Sequence, residues 1–369
     1  MSNRHTRLSR AIPAVSRRTN ALIRTVRDAD RIALLLGTAQ LLLITGAFAG
    51  FLWQSTWTLT LLYGFLVAVG VGWVTRQALT ARLVTLAMTV TTLVTLALIV
   101  VFLVREALPA FRHAGLGLVW PGGSNEWSVA QGQFSLVPMI WGTALTTVVA
   151  ILIAAPFGVA GALFISDVAP PWLREIVKPA VELLAGIPSI VYGFIGFTVI
   201  NPYVGDLLSI NSGALVVIGV VIGFMALPTV VSVAEDALST VPDSMKDGSI
   251  AMGVTDWQTM TGVSIPTAFS GISAAVLLGV GRAIGETMAA TVMISHSRRL
   301  PEPTAYNVFD STETLTTLIA DSYGSATPGS LFWNMLFAAG VFLLVIVTGL
   351  GIVSQLIERR MHRKLEGSP

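Results

Sequence analysis

Seven stretches of the chain contain no Asp, Glu, Lys, Arg or His: Ile32–Thr75, Leu83–Val104, Trp127–Ser166, Leu183–Gly205, Leu207–Ala234, Trp257–Gly281 and Ser322–Ile357. A helix needs about 20 mostly apolar residues to cross the hydrocarbon of a bilayer. The first stretch is twice that length, and Gln54-Ser55-Thr56 near its middle reads as a turn, so it divides into Ile32–Trp53 and Thr58–Val74. The remaining spans are expected at Leu83–Val104, Val137–Phe164, Val181–Ile200, Ala214–Ala234, Gly271–Ile294 and Leu331–Ser354. The pattern predicts an all-α polytopic membrane protein of eight spans, a tight hairpin followed by six. Barrel strands would instead alternate over segments of about ten residues, and no such alternation occurs.

Composition agrees. Hydrophobic residues make up 54% of the 369 and charged residues 11%, against roughly 25% charged in soluble domains. Mean hydropathy is +0.77. There are too few ionic side chains to cover a water-facing surface. With no cysteine there is no disulfide, thiolate metal site or cysteine nucleophile.

The positions of the 22 Lys and Arg set an expected orientation. A basic tail, 1–31, holds eight arginines, and Arg76, Arg82, Arg174, Lys178, Lys246, Arg359, Arg360, Arg363 and Lys364 fall on the same side if that tail is cytoplasmic. Only Arg105, Arg112, Arg298 and Arg299 fall outside, and Arg282 is intramembrane. Both termini are therefore expected in the cytoplasm. The tail is not a cleaved signal, because its apolar run is too long and a second span follows at once. Its arginines fix topology and touch anionic lipid. No feature points to nucleic acid. Connections 105–133 and 295–330 are expected outside, with Trp120 and Trp127 near the membrane surface, and 235–270 inside.

The inner connection carries the most specific local signals. Asp243 or Ser244 can cap a first short helix, and Gly253 supplies a left-handed residue to end it. Thr255-Asp256-Trp257-Gln258 forms a capping box that starts a second, and Pro266 closes it. A bent helix pair under a membrane bundle is either an ordinary amphipathic loop or a docking knob for a cytoplasmic partner. A second feature is Gly279-Val-Gly281-Arg282-Ala-Ile-Gly285-Glu286-Thr287. It is not a phosphate loop: no strand precedes it, and the Lys expected after the last Gly is Glu286. Arg282 and Glu286, four apart, can share one helix face. A charge at membrane depth costs at least ~2.5–3.5 kcal/mol, so both should face protein or water. They form either a structural ion pair or part of a solute path, and Gly281 and Gly285 are expected to allow close helix approach. Glu182, at a helix end, reads as a solvated or capping carboxylate, and Pro156, Pro188 and Pro228 as kinks. No HExxH occurs, no His falls within a span, and no catalytic group, cofactor or metal site is expected.

Segment 243–266 resembles the "EAA" loop of binding-protein-dependent ABC importer permeases, E-A-A-x3-G-x9-I-x-L-P. Here it stands as Asp247-Gly248-Ser249, three residues, Gly253, nine residues, then Val263-Ser264-Ile265-Pro266, with every interval kept. Asp replaces Glu, and Gly248-Ser249 replace Ala-Ala; Gly within a helix costs about 1 kcal/mol relative to Ala. Glu182–Gly193, Leu227–Leu238, Trp257–Pro266, Gly279–Ala289 and Gly142–Pro171 look like the PstC-type permease of phosphate ABC importers, over roughly Arg82 to Arg360. The resemblance implies a six-helix, MetI-like type I importer core at 82–360, preceded by an extra hairpin at 32–81 and followed by a tail at 361–369. It implies a PstA-like second permease, a pair of PstB-like ATPases gripping Asp247, Gly248, Ser249, Gly253 and Pro266, and a PstS-like phosphate-binding protein outside. Arg282 and Glu286 would line the translocation path. The competing classes are a permease for another small oxyanion and a stand-alone secondary transporter or channel, in which Arg282 and Glu286 would be an ion site.

Overall fold

The computed structural model describes residues 31–120, 127–210 and 212–365. The basic tail before Arg31, residues 366–369, and the side chains of Arg359, Arg360, Arg363 and Lys364 lie outside the described residues. The described chain is helical, with one isolated bridge between Ser128 and Gln133. Its helices are α1 (Arg31–Leu52), α2 (Thr58–Thr75), α3 (Gln77–Ala114), α4 (Val137–Leu163), α5 (Pro171–Ala185), α6 (Ser189–Ile195), α7 (Asn201–Leu208), α8 (Leu215–Ser239), α9 (Asp243–Ala251), α10 (Asp256–Thr259), α11 (Ile265–Gly285), α12 (Met288–Met293), α13 (Leu315–Ser322) and α14 (Leu331–Leu365). Single π-helical turns extend α4 over Phe164–Val168, join α6 to α7 over Gly196–Ile200, and join α10 to α11 over Met260–Ser264.

Among the described residues, eight segments are long and apolar enough to cross a membrane, as the sequence pattern predicts. Several of their threonines satisfy the hydroxyl within their own helix. Thr85 donates to Ala81 O, Thr89 to Thr85 O, and Thr147 to Thr143 O.

Two predicted spans shift. The fifth does not run unbroken from Val181 to Ile200, since Gly186–Pro188 interrupts it and Pro188 precedes α6 instead of kinking a continuous helix. Pro188 takes an extended ψ of 133°, and the residue before a proline is also biased away from helix. The seventh starts much earlier than Gly271, at Asp256, and ends at Gly285. Pro266 does not close the second loop helix but lies near the start of α11. The π turn just before it changes the hydrogen-bond register where proline's missing N–H would break a regular ladder.

The described residues fall into two compact units, divided between Val101 and Phe102 within α3. In the first, Gln40 Nε2 of α1 donates to Ala68 O of α2 (3.0 Å), fastening the hairpin across a turn in which Gln54 has φ +52°. In the second, α8 is the most buried span and packs against α4 and α11. Three apolar clusters make up its core. One gathers around Leu118, Met139, Leu318 and Met335, one around Ile218, Ile222 and Met293, and one around Val230, Leu238 and Ile272. Glycine permits close helix approach here: a Cβ at Gly158 would meet the Val230 side chain at 2.7 Å.

Candidate functional site

The loop at 243–266 folds as two short helices at an angle, set by local chemistry. α9 begins at Asp243, which carries no side-chain cap; Pro242 occupies the N-cap position that Asp243 or Ser244 was expected to fill. Gly253 follows with φ +86°, the left-handed conformation expected of it. The Thr255–Gln258 capping box is complete in both directions. Asp247 and Gly248 are exposed on α9. Ser249 turns inward, and its hydroxyl lies 2.7 Å from that of Thr259, tying α9 to α10. Around this corner Met245, Ile250, Met252 and Trp257 expose apolar surface, Met252 to 85% and Trp257 to 66%.

The loop is anchored to the bundle by charge. Lys246 Nζ lies 2.8 Å from Asp167 Oδ1, and the Asp167 side chain is 8% exposed. Ser166 Oγ donates to the same oxygen, and Arg174 of α5 donates to the Ser166 carbonyl. Nearby, Lys178 of α5 pairs with Glu235 and Asp236 of α8. The hydrogen bond to Glu235 holds the Lys178 ammonium above the usual lysine range, against a smaller opposing effect of burial. Glu182 is exposed, in accord with a solvated carboxylate.

At the other end of α11 the chain breaks. Helix stops at Gly285, Glu286 is extended (ψ 126°), and α12 begins at Met288. Arg282 and Glu286 therefore do not share a helical face, and no ion pair joins them among the described residues. The Glu286 carboxylate instead accepts the Ala289 N–H at 3.0 Å, capping α12. Thr316 of α13 donates to the freed Glu286 carbonyl, and Thr287 to that of Gly285. Arg282 lines a cavity of about 540 Å³ with Thr229 of α8 and Leu350 and Ser354 of α14, and its Nε is buried without a hydrogen-bond partner. Gly281 lines the same cavity. A Cβ on Gly281 or Gly285 would meet nothing within 4 Å, so the close approach expected there occurs instead at Gly279, against Val230.

Connection 295–330 is folded rather than loose. Glu313, fully buried, takes His296 Nδ1 at 2.9 Å and Arg298 Nε at 3.0 Å, while Arg298 also holds Asp321 at 2.8 Å. Ligand atoms of His296, Glu313 and Asp321 lie within 4.8 Å of one another, but a metal ion there would meet the Arg298 guanidinium already bonded to both carboxylates.

Residues 154–363 match the family described as "Binding-protein-dependent transport system inner membrane component". The chain is 31% identical over 289 residues to the phosphate transport system permease protein PstC of Xylella fastidiosa, covering 70% of this chain and 87% of that one. It is 33% identical to PstC of Haemophilus influenzae, over 66% of this chain and 82% of that one. It belongs to this family, in its PstC type. The permease is also 42% identical over 215 residues to a probable ABC transporter permease, YqgH, of Bacillus subtilis, covering 58% of this chain and 68% of that one. Its fold is similar to a chain of a bacterial alginate ABC transporter crystallised with a pentasaccharide-bound periplasmic protein, with a TM-score of 0.53 at 15% identity over 77% of this chain and 97% of that one. The permease is thus a multi-pass inner-membrane protein with a type I importer fold.

Three parts of the permease escaped sequence reasoning. Lys246 and Asp167 stand 79 residues apart, Thr316 and Glu286 30 apart, and His296 and Glu313 17 apart. No periodicity links such positions. The one available hint was the density of polar residues in Ser311-Thr-Glu-Thr-Leu-Thr-Thr317 between two spans.

Proposed function

We propose that this chain is one of two membrane subunits of an ATP-driven phosphate importer. A PstA-like permease completes its pore, a pair of PstB-like ATPases drives it, and a PstS-like protein delivers phosphate outside. The observation that carries the coupling is the bent pair α9–α10, which exposes Met252 and Trp257 while being tied to the bundle through Lys246 and Ser249. Asp247, Gly248, Ser249 and Gly253 form the docking element, and Pro266, near the start of α11, belongs to the span that receives its motion. With the Lys and Arg distribution, that element and both termini lie in the cytoplasm. The permease has no ATPase site of its own, so nucleotide energy enters at this contact.

Arg282 is the cation of the translocation path. A guanidinium at membrane depth without a paired carboxylate is costly, and a mobile anion offsets that cost only when present, as a transport site requires. Glu286 shapes the path by capping α12 and holding the helix break open to solute. Phosphate as the anion rests on the two PstC relatives, whose names state phosphate transport. External selectivity belongs mostly to the binding protein.

The test is reconstitution with the candidate partner permease, ATPase and binding protein. Uptake of inorganic phosphate should require ATP and exceed uptake of sulfate and molybdate. Nucleotide-independent accumulation by the purified chain alone, down an ion gradient, would instead establish a stand-alone transporter.

A further inference from the structure

Lys246 sits one residue before the docking element, yet its side chain leaves that surface and runs to the end of α4. Its side chain is 19% exposed, and the ammonium reaches Asp167 Oδ1 at 2.8 Å. Asp167 is held in place independently of Lys246. It lies in the π turn that ends α4, its Oδ1 accepts from Ser166, and the Ser166 carbonyl accepts from Arg174 of α5. Its second oxygen, Oδ2, is buried without a hydrogen-bond partner. Among the described residues, Lys246 is the one cation paired with this carboxylate. The Lys246–Asp167 contact also borders a cleft of about 210 Å³ lined by Arg174, Asp243, Asp256 and Met260.

The docking element therefore meets the bundle at two distinct joints. Ser249 links α9 to Thr259 of α10, which continues through the Met260–Ser264 turn into α11. Lys246 links α9 to α4. The two joints differ in kind. The hydroxyl contact is neutral, whereas the ion pair is charged and largely desolvated, so removing one partner leaves a buried charge uncompensated. Both α4 and α11 pack on α8.

We infer that Lys246 and Asp167 are a paired positioning contact that carries movement of the docking element into α4, so that α4 and α11 move together. This rests on 243–266 being the ATPase contact. Neither residue touches solute; both act through the position of α4. A transmission role predicts that loss of the pair separates ATP hydrolysis from solute movement, which a merely structural role would not do.

The experiment uses the assembled transporter in vesicles with inorganic phosphate as the probe, recording membrane abundance, ATPase retention, and phosphate imported per ATP hydrolysed. The decisive variant is Lys246→Gln combined with Asp167→Asn, which leaves no unpaired buried charge and so avoids simple misfolding. Normal abundance and ATPase retention are expected, with phosphate imported per ATP reduced at least tenfold. Lys246→Arg, which keeps the charge, should retain most of the wild-type ratio, and exchanging the residues (Lys246→Asp with Asp167→Lys) should restore part of what the neutral pair loses. An unchanged ratio in the neutral double variant would overturn the inference, as would loss of ATPase retention in that variant, which would make the pair a fastener of the loop. Failure of the wild-type chain to retain the ATPase would defeat the docking assignment itself, and is seen before any variant is made.

Discussion

The Thr316 hydroxyl donates to the backbone carbonyl of Glu286 at 2.8 Å, joining a helix of the 295–330 connection to the broken end of a span. That carbonyl lost its helical partner where α11 stopped, and the Thr316 side chain that replaces it is buried. Thr316→Val keeps the shape and removes the donor. We expect a loss of about 1–3 kcal/mol, the desolvation cost of an unsatisfied buried acceptor. Thermal unfolding in detergent should show this, with phosphate uptake falling alongside it.

Gly253 and Gly248 should respond oppositely to an added side chain. Neither has an atom within 4 Å of its would-be Cβ, so packing does not separate them. Backbone does. Gly253 has φ +86°, where an L-residue is strained by about 1–2 kcal/mol; Gly248 is inside α9, where Ala is favoured by about 1 kcal/mol. Gly253→Val should abolish phosphate uptake at unchanged membrane abundance, whereas Gly248→Ala should keep uptake and slow proteolysis of the loop. Full transport by the Gly253 variant would show that the bend is not needed for coupling.

Arg282→Gln should cost little stability, because no ion pair is lost and a buried unpartnered Nε is removed. The unfolding midpoint should stay the same or rise, while phosphate uptake drops at least tenfold with ATPase association intact. A variant that instead disappears from the membrane would mark Arg282 as a structural residue.

Lys178 provides a pH test. Its folded pKa is raised above the ordinary 10.5, chiefly by the hydrogen bond to Glu235. The stabilisation is therefore fully present below about pH 10 and lost only as pH climbs through the raised value. Lys178→Met leaves Glu235, 6% exposed, without its cation. The expected loss is about 1–2 kcal/mol, reduced from that of a fully buried pair because Lys178 is 37% exposed. The gap in unfolding temperature between wild type and variant should be constant from about pH 6 to pH 9 and narrow only in strongly alkaline buffer.

Features set by neighbouring residues were legible in the chain. Run length set the number of spans and placed all but the fifth and seventh, and the Gly253 bend and the Thr255–Gln258 box follow from local backbone and capping rules. Errors arose where a local rule assumed an unbroken helix. Pairing Arg282 with Glu286 required four continuous helical residues, but Thr316, Thr287 and the Glu286 carboxylate satisfy the groups that a break exposes, so the break can persist. Pro266 was read as a stop because the π turn that accommodates it has no sequence signature of its own. Glu313 has no sequence signature as a buried, paired carboxylate, since its partners, His296 and Arg298, lie 17 and 15 residues away across the external connection.

From Asp256 to Gly285 the chain runs 30 residues as one apolar segment, through the Met260–Ser264 turn, with Trp257 near one end and Arg282 near the other. At 1.5 Å per residue that is a rod of about 45 Å. Swung by about five degrees around its foot, such a rod sweeps its tip through roughly 3 to 4 Å, comparable to the width of a small oxyanion. On the proposed coupling, a modest tug near Trp257 displaces the Arg282 guanidinium by an atomic distance through the rod itself, in parallel with the Lys246–Asp167 contact that leads into α4.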